Sequence, residues 1–156
     1  SIGQKKVDVM EKHILDINSD VKVNKLDIFY LPGETSIDLS QYDYVVDAID
    51  TVSAKLDIIE KCYKLNVPII SALGCGNKLD PSKLELTDIS KTSYDPLAKV
   101  IRKELRERGI SHLTVVYSKE QITLDRKENT PGSDAFVPTS AGLLIGYKVI
   151  KDLLEL

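Results

Sequence analysis

Two aspartates, three residues apart, follow an apolar run in the segment Val46-Asp47-Ala48-Ile49-Asp50. The run that begins at Tyr44 is typical of a strand buried on both faces of a parallel sheet. Asp50 would then lie at the carboxyl end of that strand, the edge where open α/β sheets bind ligands. Its carboxylate could hold Mg²⁺ on a nucleotide, or it could cap the next helix. Asp47, inside the apolar strand, needs a polar partner, and we expect a structural hydrogen bond there.

Basic side chains form two further candidate sites. Lys6 stands in the first turn of a predicted helix, where a cation beside backbone amides suits an anionic group. Four basic residues share one face of a later helix because they fall at positions i, i+3, i+4 and i+7: Lys99, Arg102, Lys103 and Arg106. That face could contact an RNA backbone, or it could be an ordinary solvated helix face.

Cysteine and histidine offer little additional chemistry. Cys75 lies between two glycines after a predicted strand, a setting more typical of a tight backbone passage than of a reactive thiolate. Cys62 falls on the apolar stripe of a helix, and we expect it in the core. His13 and His112 have no neighbours at the spacing of metal ligands. No Ser-His-Asp arrangement can be argued from the sequence.

Alternating helices and strands would position these residues. Apolar spacing predicts helices at about 4–17, 52–65, 95–108 and 140–155, and strands at 21–28, 44–49, 67–72, 84–89 and 113–117. This alternation is typical of βαβ units in an α/β fold. Polar residues at 119–135, with a Pro-Gly pair, predict a mobile loop. Gly142 and Gly146, one turn apart in the last helix, are expected to let the backbone pack closely against the sheet.

The composition excludes several functional classes. A chain of 156 residues, 42% hydrophobic and 29% charged, fits one domain with its own core. No apolar run approaches the roughly 18 residues of a membrane span. A net charge of −3 argues against a uniformly basic protein that coats nucleic acid. Two cysteines fit a reducing cytoplasm and cannot form a four-cysteine zinc site.

The order of elements at the start of the chain is unusual for a nucleotide-binding domain. Such a doubly wound domain normally opens on a strand and a glycine-rich turn, whereas this chain opens on a predicted helix. No G-x-G-x-x-G sequence occurs in it. We therefore expect the chain to be the second part of a nucleotide-binding domain whose first βα unit lies upstream.

Several stretches resemble the HesA/MoeB/ThiF family of adenylating enzymes, which are related to ubiquitin-activating enzymes. They are Ser1-Ile2-Gly3-x-x-Lys6-Val7 with Asp16-Ile17-Asn18, the segment Val46–Asp50, and Phe136-Val137-Pro138-x-x-Ala141-Gly142. A narrower stretch is similar to the subgroup that dehydrates threonylcarbamoyladenosine in tRNA, namely Leu86–Thr92 with Asp95-Pro96-Leu97-Ala98-Lys99 and Arg102. The resemblance covers nearly the whole chain but only the later portion of the family's domain.

The resemblance implies a fold and a reaction. The fold would be a Rossmann-like, doubly wound, mostly parallel sheet flanked by helices, without the first nucleotide-binding βα unit. The family uses ATP and Mg²⁺ to adenylate a carboxylate. In the subgroup that carboxylate belongs to the threonylcarbamoyl group of a tRNA, which then cyclises with loss of water. The implied partners are the tRNA substrate and a second copy of the chain in a homodimer. The protein is expected in the cytoplasm and not at a membrane.

The resemblance also implies roles for particular residues. Lys6 matches the family's phosphate-binding lysine, and Phe29 falls where the family lines its adenine pocket. Asp50 matches the catalytic aspartate associated with ATP and Mg²⁺. The basic helix face that contains Lys99, Arg102, Lys103 and Arg106 would contact the tRNA.

Departures from the family pattern leave alternatives open. The glycine-rich loop, the ribose-binding acidic residue and an upstream arginine are not in this chain, so these 156 residues alone should bind ATP poorly. Residues 113–136 contain no cysteine, although related members carry one near the long loop. The zinc-binding cysteine pairs of many activators are also missing, which favours the tRNA branch. The alternatives are an activator of a ubiquitin-like sulfur-carrier protein, a fragment of a nicotinamide-binding oxidoreductase, and a non-catalytic Rossmann-like interaction domain.

Overall fold

The structure is a computed structural model that describes residues 2–121, 132 and 134–156. The chain divides into two units, one ending at Tyr30 and the other beginning at Leu31. The loop predicted at 119–135 falls mostly on residues 122–131 and 133, which lie outside the described residues.

The first unit contains one helix, α1 (Lys6–Ile17), and an extended segment. The apolar stripe of α1 is not buried, since Met10 is 55% and Ile17 87% exposed. Residues 18–30 form no strand, so the strand predicted at 21–28 was wrong. Its apolar residues fit an extended backbone, but a strand also needs a neighbouring chain to accept its hydrogen bonds.

Ion pairs connect α1 to the segment that follows it. Lys25 Nζ lies 2.8 Å from Asp8 Oδ1 and 2.6 Å from Glu11 Oε2. Lys5 Nζ lies 2.5 Å from Asp27 Oδ2. These pairs are largely exposed, so each contributes little to stability.

The second unit is built on a four-stranded sheet with the order β1-β2-β4-β3. Its strands are β1 (Val45–Asp47), β2 (Ile69–Ala72), β3 (Leu84–Asp88) and β4 (Thr114–Ser118). β1, β2 and β4 run parallel, and β3 pairs antiparallel with β4. The predicted α/β class and mostly parallel sheet are confirmed. The carboxyl ends of the three parallel strands lie at one edge of the sheet, and Asp50 follows the end of β1 by three residues.

Three helices flank the sheet, α2 (Val52–Leu65), α3 (Pro96–Glu107) and α4 (Phe136–Leu153). The predicted start of α3 is confirmed, because Asp95 Oδ1 accepts a hydrogen bond from the Ala98 amide at 2.6 Å and proline occupies the first turn. α4 begins four residues before the predicted position 140. Asp134 Oδ1 accepts from the Phe136 and Val137 amides, both at 3.0 Å. Pro138 is tolerated in that first turn because its nitrogen needs no partner.

The core lies between the sheet and the helices. Ile70 of β2 and Val116 of β4 pack against Ala141 and Ile145 of α4. A Cβ added at Gly142 or Gly146 would meet no atom within 4 Å, so the predicted close packing at these glycines was wrong. Cys62 is fully buried on α2, as predicted. In the described part of the chain, no helix is both long enough and apolar enough to span a bilayer.

Candidate functional site

A fully buried ion pair lies at the carboxyl edge of the sheet. Lys55 Nζ of α2 is 2.6 Å from Asp47 Oδ2 of β1, and neither side chain has exposed surface. Lys55 Nζ also donates to the carbonyl oxygen of Ala72 at 3.0 Å. Asp47 Oδ1 accepts from the Ile49 amide at 3.0 Å. The structural hydrogen bond predicted for Asp47 is therefore confirmed.

Lys55 was not among the predicted site residues, although the chain carries a signal for it. Ile59 and Cys62 follow Lys55 by four and seven residues, so the lysine stands on the apolar face of α2. A lysine there must be paired, because burying an unpaired charge costs several kcal/mol. Asp47, eight residues earlier in a buried strand, is the matching anion.

Asp50 is exposed and lies three residues after the end of β1. Thr51 occupies the N-cap position of α2, and no side chain caps that helix. The capping interpretation of Asp50 was therefore wrong. Within the described residues, the Asp50 carboxylate has no hydrogen-bond or ion-pair partner. A carboxylate in this state can bind a hard cation without first breaking a protein contact.

The turn after β2 packs closely against the start of α3. Gly74 has φ +46, and a Cβ at this position would overlap the carboxylate of Asp95. Asp95 is buried and caps α3, so it has little freedom to move aside. The tight backbone passage predicted around Cys75 is thus present at Gly74.

The Cys75 thiol is half-buried, and its Sγ lies 3.5 Å from the carbonyl oxygen of Leu73. Burial raises its pKa, and the negative charges of Asp95 and Asp50 raise it further, against the opposing effects of Lys78 and Lys55. Because the thiolate is the reactive form, these surroundings disfavour a nucleophilic role.

We expect Cys75 to react much more slowly with iodoacetamide at neutral pH than free cysteine does. The labelling rate should increase as the pH is raised into the alkaline range, because the pKa of its thiol is raised. Mass spectrometry of the labelled peptides measures this rate. Cys62, whose burial raises its pKa to about 11, is the internal slow reference. Labelling of Cys75 at the rate of free cysteine at neutral pH would contradict this expectation.

The loop after Cys75 is anchored to the chain beyond β4. Lys78 is buried and donates to the carbonyl oxygen of Glu120. Glu120 Oε2 accepts from the Leu79 and Asp80 amides at 2.9 and 3.0 Å. These contacts fix the path of the loop, and no local pattern in the sequence indicates them.

Two of the predicted ligands, Lys6 and Phe29, belong to the first unit. Lys6 is the first residue of α1 and its side chain is exposed. Phe29 is 76% exposed and lies in the extended segment, not at the end of a strand as predicted. Their roles toward phosphate and adenine stay predictions.

The basic face of α3 is only partly free. Lys99, Lys103 and Arg106 are exposed, with Lys103 Nζ 3.7 Å from Glu107 Oε1. Arg102 is half-buried, and its Nη1 donates to the carbonyl oxygen of Thr92 at 2.9 Å and to Thr92 Oγ1 at 2.6 Å. Arg102 therefore fixes the turn before α3, and the other three residues are the better candidates for contact with a polyanion.

A groove of about 620 Å³ lies between α2 and α3. Thr51, Val52 and Ser53, which directly follow Asp50, line part of it, and most of the remaining lining comes from later turns of α2 and from α3. Its charged side chains are already paired, with Arg108 lying 3.3 Å from Glu60 and 2.9 Å from Glu104. Nowhere in the described part of the chain do three or more His, Cys, Asp or Glu residues gather to bind a metal.

Comparisons with known proteins give a consistent result. The ThiF family model matches residues 1–129. A tRNA threonylcarbamoyladenosine dehydratase of Bacillus subtilis is 39% identical, with 99% of this chain and 68% of that protein covered. The enzyme of the same name from Escherichia coli is 31% identical, with 83% of this chain and 52% of that protein covered.

Solved structures of the E. coli tRNA N6-threonylcarbamoyladenosine dehydratase share the fold. Its complex with AMP has a TM-score of 0.84 and 28% identity, covering 98% of this chain and 65% of that one. Its complex with ATP has a TM-score of 0.71 and 26% identity, covering 96% of this chain and 67% of that one. The chain thus spans about half to two thirds of the length of these relatives.

Proposed function

The chain belongs to the ThiF family, and from that premise we propose that it takes part in ATP-dependent adenylation of a carboxylate. The specific reaction is the cyclising dehydration of threonylcarbamoyladenosine in tRNA. The names of the B. subtilis and E. coli relatives support this substrate. The E. coli complexes with AMP and ATP support ATP as the nucleotide.

The observation that carries the proposal is the state of Asp50. It is an exposed carboxylate without a partner among the described residues, and it follows a parallel strand at the sheet edge where such folds bind ligands. Mg²⁺ at nucleotide sites is usually held by one or two carboxylates together with phosphate oxygens. Asp50 fits that donor set and would hold Mg²⁺ on the nucleotide.

The protein would bind the nucleotide and stabilise the negative charge of its phosphates. When bound, ATP supplies the adenylyl group that converts the substrate carboxylate into one with AMP as its leaving group. Lys6 would neutralise phosphate charge from the first turn of α1. Phe29 would line the adenine pocket. Asp50 would hold the metal that offsets the negative charge of the phosphates.

ATP–pyrophosphate exchange by the full-length protein tests this function. We expect exchange that requires Mg²⁺ and a tRNA carrying threonylcarbamoyladenosine, with loss of one water from the modified nucleoside in mass spectrometry. Exchange stimulated only by a small carrier protein with a Gly-Gly tail would support the sulfur-carrier alternative instead. No exchange with either substrate would contradict an adenylating function.

The tRNA would meet the exposed basic residues of α3. We expect replacement of Lys99, Lys103 and Arg106 by glutamine to weaken tRNA binding, since each phosphate contact releases counterions. The slope of log K against log salt should flatten by up to about 0.9 for each phosphate that the variant no longer neutralises. Filter binding at several salt concentrations measures both quantities.

A charge-matched control distinguishes local contact from a general loss of positive charge. Lys12, Lys22 and Lys83 are exposed lysines elsewhere on the chain, and their replacement by glutamine removes the same charge. If this control weakens binding as much as the α3 variant does, α3 has no special role.

A homodimer is part of the same proposal. Three large apolar side chains are exposed along one side of α4, at spacings of 4 and 3 residues, namely Leu143, Tyr147 and Ile150, and the exposed Leu154 directly follows the end of the helix. Contiguous exposed apolar surface of this kind often marks a protein–protein contact. Light scattering by the full-length protein should give the mass of two chains, and the mass of a single chain across the concentration range would contradict the dimer.

A further inference from the structure

We infer that the buried Asp47–Lys55 pair positions the sheet edge that presents Asp50, and that it is more than a structural ion pair. The two side chains would act through the backbone at the ends of β1 and β2, without touching the nucleotide. This inference rests on the proposed function of Asp50, which it deepens by naming two positioning residues.

The first link runs through Asp47. Its Oδ2 lies 2.6 Å from Lys55 Nζ, while its Oδ1 accepts from the Ile49 amide at 3.0 Å. An aspartate that accepts from the amide two residues later fixes the local turn. Asp50 is the next residue, so the direction in which it leaves the strand depends on where the Asp47 carboxylate is held.

The second link runs through Lys55. Its Nζ donates at 3.0 Å to the carbonyl oxygen of Ala72, the last residue of β2. The next amide, that of Leu73, donates at 2.8 Å to the carbonyl oxygen of Val116 in β4. One ammonium group on α2 therefore joins the end of β1 to the end of β2, and the adjacent backbone bond continues to β4.

A charged pair is not required here for stability alone. Replacement of a buried ion pair by apolar residues of similar volume is often neutral or stabilising. The pair instead orients the backbone at the ends of β1 and β2, because its two side chains make three hydrogen bonds with defined geometry. Ser71, the register partner of Asp47, also buries a hydroxyl that has no hydrogen-bond partner among the described residues. This edge thus buries more polar groups than packing would need.

The test replaces both members of the pair, Asp47→Asn with Lys55→Met. Methionine fills a similar volume without a charge, and asparagine keeps an oxygen that can accept from Ile49. We expect a folded protein with a melting temperature below that of the parent, because the asparagine amide and the Ala72 carbonyl are left without the Lys55 partner. We also expect faster hydrogen exchange at the Ile49 amide and a fall in kcat for ATP–pyrophosphate exchange of about 10- to 100-fold. The matched control removes an exposed charge from the same helix, Lys64→Met, and leaves Glu60 with its other partner, Arg108.

Each outcome decides a different point. Unchanged Ile49 exchange and unchanged kcat in the folded double variant would overturn the inference and leave the pair merely structural. If the parent protein itself shows no pyrophosphate exchange, the proposed function fails, while hydrogen exchange at Ile49 still tests the positioning of the turn. If the double variant does not fold, Asp47→Leu with Lys55→Met takes its place, because an apolar pair leaves no charge buried without a partner, with the same two readouts and the same overturning result.

Discussion

Asp50→Asn is expected to abolish ATP–pyrophosphate exchange by the full-length protein while leaving its stability nearly unchanged. Asparagine keeps the size and polarity of the side chain but lacks the charge that attracts Mg²⁺. Loss of one preorganised electrostatic contact to a reacting group typically lowers kcat by roughly 100- to 1000-fold. We expect a loss of at least that order in the exchange rate.

The stability of this variant follows from the surroundings of Asp50. The side chain is exposed, does not cap α2 and has no partner within the described residues. A surface substitution without such contacts usually changes the free energy of unfolding by less than about 0.5 kcal/mol. Urea unfolding of the variant and the parent measures this difference.

Asp43→Asn is the matched control, because Asp43 is an exposed aspartate at the opposite end of β1. It should retain parent activity. Parent-like ATP–pyrophosphate exchange by the Asp50 variant would show that Asp50 has no role in the reaction. An equal loss in both variants would show that the assay responds to net charge and not to the sheet edge.

The parts of the fold that the sequence could predict are those with a local physical signal. The continuous apolar run before Asp50 identified β1, although the observed strand is shorter, at Val45–Asp47. Asp95-Pro96 identified the start of α3 because an aspartate cap followed by proline satisfies the first amides of a helix by itself. In each case the stabilising interaction lies within a few residues of the signal.

The features that were missed depend on distant partners. The segment at 21–28 has the composition of a strand, but no strand of the described residues pairs with it. Arg102 fits the basic face of α3 by spacing, yet it donates to Thr92, ten residues away in sequence. Lys55 looked like an ordinary helix lysine because its anion lies on another element. Helical periodicity predicts the face of the helix on which a residue lies. It does not predict which group of another element contacts that face.

The same distinction applies to the candidate site. Asp50 could be proposed from the sequence because strand ends in parallel sheets collect at one edge. Two contacts near that edge are the Asp47–Lys55 pair and the close approach of Gly74 to Asp95. They join residues 8 and 21 positions apart in the sequence, so they are seen only in the folded chain. The sequence therefore predicts the edge and a candidate ligand, Asp50, whereas the contacts around this edge are visible only in the structure.

Gly74→Ala is expected to cause a large loss of stability. Alanine at φ +46 is strained, at a cost of about 1–3 kcal/mol. The added Cβ would also overlap the Asp95 carboxylate, which must then leave its position. Because Asp95 caps α3 through the Ala98 amide, its displacement should cost about a further 0.5–2 kcal/mol.

Urea denaturation should therefore show a free energy of unfolding lower by about 1.5–5 kcal/mol in the Gly74→Ala variant. Gly142→Ala is the matched control, since Gly142 lies within α4 and a Cβ there meets no atom within 4 Å. That control should be stabilised by up to about 1 kcal/mol, because alanine is the better helix former. If both variants unfold at the parent's urea concentration, the turn after β2 must be able to open away from α3, and the close approach of Gly74 to Asp95 would not constrain the sheet edge.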